Sequence, residues 1–239
     1  MSLFAIAAGI NQKNNVNEMV MKVSSMIYSL FFQCVTGYFL QLTNLLCAVL
    51  QFPSSHFVIM IFHYDGVVDE WSDLEWNHRA IHVSALNQTK WWFAKRFLHP
   101  DIVADYKYIF LWDEDLGVEN FDPLGYLTVV EKEGLEISQP GLDGSKSEVH
   151  HQITIRGRRS NVHSWVEMMA PVFSRSAWRC TWYMIQNDLI HAWGLDKQLG
   201  YCAQGDRTKN VGVVDSEFIV HQGLPTLGGI DENKVLIFI

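Results

Sequence analysis

The segment Tyr106–Val118 ("YKYIFLWDEDLGV") carries three consecutive acids, Asp113, Glu114 and Asp115, directly after a run of apolar and aromatic residues. The apolar run predicts a buried strand, and ligands of open α/β sheets bind at the carboxyl edge where such strands end. On an extended backbone alternate side chains point the same way, so Asp113 and Asp115 are expected on one side and Glu114 on the other. Two such carboxylates suit Mg²⁺ or Mn²⁺ with positions left open for a diphosphate. The alternative is a solvated acidic turn.

Two more side chains are candidates for the same site. Asp196 follows Trp193 and Gly194 at the end of an expected helix, where a carboxylate facing a cleft acts as a general base. His221 ends an apolar run and is a candidate third metal ligand. The alternatives are a solvated helix-terminal aspartate and a packed or solvated histidine.

Basic residues concentrate in one place, where Arg156, Arg158 and Arg159 form the densest cluster of the chain. Arginine binds phosphate well, so Arg156 and Arg158 are candidates for binding a phosphate-containing cofactor, although a solvated loop explains them equally. Asp65, in the "HYDG" stretch that follows an apolar run, is a third candidate.

The overall composition excludes several classes of protein. The 239 residues carry a net charge of −8, which argues against nucleic-acid binding because that affinity comes from Lys and Arg on phosphates. The four cysteines form no CxxC pair, so a structural zinc site is not expected, and they are too few for a disulfide scaffold. No nicotinamide fingerprint, P-loop or GxSxG elbow is present.

Alternating strands and helices position these residues and predict an α/β fold with a mainly parallel sheet flanked by helices. The expected strands are Leu3–Ile10, Phe57–Phe62, "AIHVSAL", "YKYIFLW" and "LEISQP". Helices are expected to begin at Asn87, to run from an Asp122 cap to a Gly134 stop, and to cover residues 174–193.

One segment does not fit this alternation. Residues 23–55 contain no Asp, Glu, Lys or Arg, and Met26–Leu50 is long enough to span a bilayer, which takes about 20 residues. Its scattered polar residues make it a mediocre membrane helix, and a buried core helix is the alternative.

Much of the remaining sequence resembles a plant domain of unknown function whose members are labelled lysine-ketoglutarate reductase trans-splicing related. The stretches that carry the resemblance are "HYDGVVDEW", "RAIHVSALNQTKWWFAKRFLHPDIV", "YIFLWDEDLGV", "WVEMMAPVFSRSAWRC" and "GVVDSEFIVH". The label implies no chemistry, since no nicotinamide site is visible. The pattern is in turn similar, more distantly, to glycosyltransferases of the A-type fold.

This second resemblance implies a metal-dependent transfer of sugar from a nucleotide sugar to a glycan or other hydroxyl acceptor. Asp113 and Asp115 match the Asp-x-Asp element that holds Mn²⁺ or Mg²⁺, His221 matches a late histidine that completes the metal site, and Asp196 matches the catalytic base. The alternatives are a catalytically silent sugar- or protein-binding module and a metal-dependent phosphoester hydrolase.

The chain departs from the family pattern in two places. Joining Lys22 to Phe52 restores the family's sequence, so residues 23–51 are predicted to interrupt a single domain spanning 1–239. The interruption is interpreted as a retained intron or, alternatively, as a transmembrane helix with membrane association and a Golgi or endomembrane location. The family also carries a longer loop between the equivalents of His163 and Trp165.

Overall fold

The computed structural model describes residues 1–24, 56–157, 165–187 and 194–224. Its strands are β1 (Ser2–Ala8), β2 (Phe57–His63), β3 (Ile81–Ser84), β4 (Tyr108–Trp112), β5 (Leu116–Gly117), β6 (Ile137–Leu142), β7 (Val172–Ser174) and β8 (Val211–His221). Its α-helices are α1 (Lys13–Ser24), α2 (Lys90–Phe97), α3 (Pro123–Glu133), α4 (Arg175–Met184) and α5 (Arg207–Asn210). Short 3-10 turns include Gln152–Thr154, Leu195–Lys197 and Leu199–Cys202.

The described strands form one eight-stranded sheet in the order β3-β2-β1-β4-β7-β6-β8-β5. The pairs β1–β2, β1–β4, β2–β3 and β6–β8 are parallel, whereas β7 and β5 run antiparallel to their neighbours. The first two strands pair in register from Ser2 opposite Phe57 to Ala8 opposite His63. The predicted α/β fold with a mainly parallel sheet is confirmed.

Helices cover both faces of the sheet, which explains why β1 is buried along its whole length. Phe4 and Ile6 face a core that includes Val16 of α1 and Tyr126 of α3. The intervening Leu3, Ala5 and Ala7 face the other core, together with α2 and α4. This alternation holds the end of each central strand in a fixed position between two helical layers.

Local capping sets the ends of the helices that border the site. The Asp122 carboxylate accepts from Leu124 N and Gly134 adopts a left-handed conformation (φ 66°), so both predicted boundaries of α3 are confirmed. The helix expected from Asn87 begins instead at Lys90, because Thr89 is the residue that caps it, accepting from Trp92 N. The helix expected over 174–193 is shorter, since α4 ends at Met184.

The prediction of a transmembrane helix is corrected by the structure. No helix within the described ranges is long and apolar enough to cross a membrane. The longest of them, α1, has 12 residues, whereas a bilayer takes about 20. Residues 26–50, which prompted the prediction, lie outside the described residues, and so does most of the proposed interruption. Its first two residues, Val23 and Ser24, belong to α1, where Val23 is buried.

Candidate functional site

A pocket of about 610 Å³ opens at the carboxyl end of the central parallel strands. The end of β1, the segment after β4 and the start of α2 form one wall, and the loop before β7 forms another. The ionisable side chains that line it are Tyr64, Lys90, Asp113, Glu114, His150, His151, Glu167, Asp196 and His221. The structure therefore brings Asp113, Asp196 and His221, three of the predicted site residues, to one pocket.

Asp113 is paired with a lysine that the sequence analysis did not single out. Lys90 Nζ lies 2.7 Å from Asp113 Oδ1, and the Lys90 side chain is only 7% exposed. The same ammonium donates to the carbonyls of Met168 (2.5 Å) and Met169 (3.3 Å). Lys90 thus ties the first turn of α2 to the end of β4 and to the loop before β7, and it balances the charge of Asp113.

Glu114 also faces the pocket, contrary to the expected alternation. The chain bends at Glu114 directly after β4, so the period of two that holds in a strand does not extend through the acidic triplet. Tyr64 donates its hydroxyl to Glu114 Oε1 at 2.8 Å. Burial, reinforced by the charge of Asp113, raises the pKa of Glu114 to about 7.

Asp115 lies behind the pocket lining and is paired with His221. His221 Nε2 is 3.3 Å from Asp115 Oδ2, both side chains are less than 10% exposed, and Leu224 N donates to the same oxygen. The other ring nitrogen of His221 lies 2.9 Å from the Glu148 carbonyl. The hydrogen bond to Asp115, with the Glu148 carbonyl, raises the pKa of His221 to about 9.

The prediction that Asp113, Asp115 and His221 form a metal-binding group is therefore wrong. The described residues contain no group of three His, Cys, Asp or Glu side chains placed to hold a metal ion. The physical reason is that Asp113 faces Lys90 and Asp115 faces His221, so each carboxylate is paired with a cation of the chain itself. As arranged, this set does not fit the expected Mn²⁺ or Mg²⁺.

Asp196 also lines the pocket. Gly194, in the left-handed region (φ 81°), turns the chain into the 3-10 turn Leu195–Lys197, and buried Leu195 anchors that turn. Asp196 Oδ2 lies 4.0 Å from His151 Nε2, and its side chain is 12% exposed. The His151 ring contacts the edge of Trp165, with 4.6 Å between centroids. An imidazole, a carboxylate and an indole thus lie next to one another at this part of the site.

Two of the predicted cofactor-binding residues, Asp65 and Arg156, do not line this pocket. Asp65 Oδ2 accepts from Ile10 N and its other oxygen accepts from Val67 N, so the side chain closes the turns after β1 and β2. The Arg156 guanidinium stacks on Phe218, 3.7 Å from the ring centroid. Neither residue is part of the pocket lining, and Arg158 lies outside the described residues.

Besides Lys90, two features of the site were not predicted from the sequence. Glu167, 3% exposed, lines the pocket, and its only signal in the sequence is that it stands alone among apolar neighbours in "WVEMMAP". A disulfide joins Cys180 of α4 to Cys202, 22 residues further on, and no spacing rule singles out this pair. It anchors the segment that follows Asp196 to the body of the fold.

Comparisons with known proteins give a family match and matches to solved structures. A family model described as "Protein of unknown function (DUF707)" matches residues 32–164 and 163–236. The two matches meet at the point where the resemblance predicts a shortened loop. A comparison with curated proteins found no match.

Among solved structures, the chain is similar to S. aureus TarS 1-349, with 8% identity and a TM-score of 0.50. The match covers 92% of this chain and 59% of TarS, so the chain spans about three fifths of that structure. A galactosyltransferase, LgtC in complex with donor and acceptor sugar analogs, matches at 10% identity and a TM-score of 0.41, covering 89% and 73% of the two chains. The similarity to TarS shows that the chain shares the fold of that structure.

Proposed function

Because the chain belongs to the DUF707 family and combines a glycosyltransferase-like fold with an acidic pocket, we propose that it transfers a glycosyl group from a nucleotide sugar to a hydroxyl acceptor. The observation that carries the proposal is the pocket at the carboxyl edge of the parallel strands. Asp113 and the base candidate Asp196 both line it. Ligands of open α/β sheets bind at this edge.

The proposed step is a displacement at the anomeric carbon. Asp196 takes the proton of the acceptor hydroxyl, the acceptor oxygen bonds to the anomeric carbon, and the bond to the diphosphate breaks with its electron pair leaving on phosphate. The His151 imidazole lies beside the proposed base, with its Nε2 4.0 Å from Asp196 Oδ2. Lys90 and His221 are the cations of the described lining that lie next to the acidic triplet, where the diphosphate is expected.

The test is turnover of UDP- and GDP-sugars by wild type and by Asp196→Asn. We expect the substitution to lower turnover at least about a hundredfold, the scale of a lost general base, with little change in the Kd of the donor. Asp105→Asn is the matched control, since Asp105 is exposed just before β4, at the other end of that strand from the pocket. Equal turnover in all three proteins would refute the role of Asp196.

The dependence on a metal ion is tested in the same experiment. Calorimetry measures the Kd of the donor once in the presence of Mn²⁺ and once in the presence of a chelator. The same two measurements are made on Asp113→Ala/Asp115→Ala, which lacks both carboxylates. The double variant is included because one oxygen of these carboxylates is not engaged. Within the described residues, Asp115 Oδ1 has no hydrogen-bond partner, whereas Oδ2 is paired with His221. Because Asp113 and Asp115 are already paired with Lys90 and His221, we expect the chelator to leave the Kd of the donor unchanged.

The closed pairs also favour a second candidate, a sugar-binding module without turnover. Two of the acids that the resemblance assigns to a metal are already balanced by Lys90 and His221. Such a module would bind the donor or a glycan but release no nucleoside diphosphate. Release of phosphate without an acceptor would instead identify a phosphoester hydrolase.

We further propose an oxidising compartment of the endomembrane system as the location. Disulfides persist in the secretory pathway and are rare in the cytosol, so the Cys180–Cys202 bond supports this assignment. Alkylation of thiols in cells lysed directly into denaturant tests it, since both cysteines of a cytosolic protein would then be alkylated without prior reduction.

A further inference from the structure

Glu167 is a buried acid at the pocket that the proposed displacement does not use. It precedes β7 in the loop that Lys90 holds through the Met168 and Met169 carbonyls. Its backbone N–H donates to the side-chain oxygen of Gln139 on β6, so the loop is anchored to the sheet on that side as well. Within the described residues its Oε1 is buried with no hydrogen-bond partner.

If the Glu167 carboxyl is ionised, one of the two hydrogen bonds at Thr154 cannot form, because a proton is missing. Thr154 Oγ1 lies 2.8 Å from the His151 carbonyl and 3.1 Å from Glu167 Oε2. A hydroxyl has a single proton, so it satisfies only one of these two acceptors. If Glu167 is protonated on Oε2, it donates to Thr154, and Thr154 then donates to the His151 carbonyl. Both contacts become hydrogen bonds only in this form.

The surroundings of Glu167 favour the same form. Burial is the largest influence and, with a smaller contribution from the charge of Asp196 on the Leu195–Lys197 turn, raises the pKa of Glu167 to about 7. It outweighs the hydrogen bonds from Thr154 and from the His151 backbone and the charge of His221 on β8, which favour the ionised form. Lys90 on α2 points its charge at Asp113 rather than at Glu167. His151, on the neighbouring turn, directs its ring toward Asp196 and Trp165.

We propose that Glu167 is a positioning residue for the acceptor side, held as a neutral carboxylic acid that donates to Thr154 and so fixes the His151 turn beside Asp196. The proposal rests on the proposed function, because Asp196 is the base there. When Glu167 ionises, the chain Glu167–Thr154–His151 loses a proton, and two oxygen acceptors compete for one hydroxyl. The turn then loses a tether, and the placement of His151 relative to Asp196 loosens.

The test compares the pH profile of turnover for wild type, Glu167→Gln and Glu167→Ala between pH 6 and 9. The amide of Gln donates to Thr154 at every pH, so this variant should keep at least half of the wild-type turnover at pH 6. It should also lack the decline that wild type shows above about pH 7. Glu167→Ala should lose at least tenfold at all pH values. Glu133→Gln is the control, since Glu133 lies at the end of α3 and 54% of its side chain is exposed to solvent.

Two results would overturn the proposal. One is a Glu167→Gln variant that unfolds like wild type at pH 6 yet has lost tenfold or more of its turnover, because the ionised form would then be the working one. The other is a pH titration of the Glu167 carboxyl itself, followed by ¹³C NMR. Its signal is identified as the glutamate signal that is absent from Glu167→Gln. A titration of that signal below pH 5 contradicts a neutral Glu167 whether or not any donor is turned over. A titration near pH 7 without turnover of any donor instead refutes the proposed function and leaves the protonated Glu167 standing.

Discussion

Removing the Cys180–Cys202 disulfide should destabilise the fold and disturb the Asp196 side of the pocket first. The bond links α4 to the Leu199–Cys202 turn, with a sequence separation of 22. For a loop of that length, the loss of the cross-link increases the chain entropy of the unfolded state, which stabilises that state by about 3 kcal/mol at 25 °C. Since Cys202 is fully buried, Cys180→Ala/Cys202→Ala should lower the free energy of unfolding by at least that amount.

The assay is urea unfolding followed by tryptophan fluorescence. With a urea m-value of at most about 3 kcal/mol/M, the midpoint should fall by at least about 1 M. Wild type treated with reductant should approach the double variant, and reductant should not change the variant itself. Turnover should fall more than donor affinity, because the turn that carries Asp196 directly precedes the segment anchored by the bond. Equal midpoints for oxidised wild type and the double variant would refute this reasoning.

Two further predictions concern the ion pairs. Lys90→Met should lower the free energy of unfolding by about 3 kcal/mol, because it leaves a carboxylate and two carbonyls without their cation. In a double-mutant cycle with Asp113→Asn, additivity within about 0.5 kcal/mol would show that the pair is not formed. The stabilisation from His221, whose folded pKa of about 9 exceeds its unfolded value of about 6.5, should be complete below pH 6.5 and lost as the pH rises through 9. The stability difference between wild type and His221→Gln measures this, and a difference that does not change from pH 6 to 9.5 would contradict it.

The fold was accessible from the sequence because it depends on local patterns. The apolar runs that became β2 and β4 are long and bounded by polar residues, and the alternation of strands with helices implies parallel pairing. The ends of α3 followed from Asp122 and Gly134, whose capping roles depend only on their own backbone. The placement of Asp196 after Gly194 in a turn is also local.

The chemistry of the site depended on contacts between residues far apart in the chain. Asp113 and Asp115 have the types and spacing of metal ligands, but only the packed structure brings Lys90 and His221 against them. Glu167 and Thr154 are 13 residues apart, and no periodicity links them.

The sequence by itself therefore determined the central strands, the ends of α3 and which edge of the sheet carries the acids, because hydrophobic periodicity and capping act over a few residues. Only the tertiary structure decided which charges are paired, which carboxyl is buried and which cysteines are joined. The energies of those interactions depend on distance and burial, and both are set by packing between segments that the chain order does not relate.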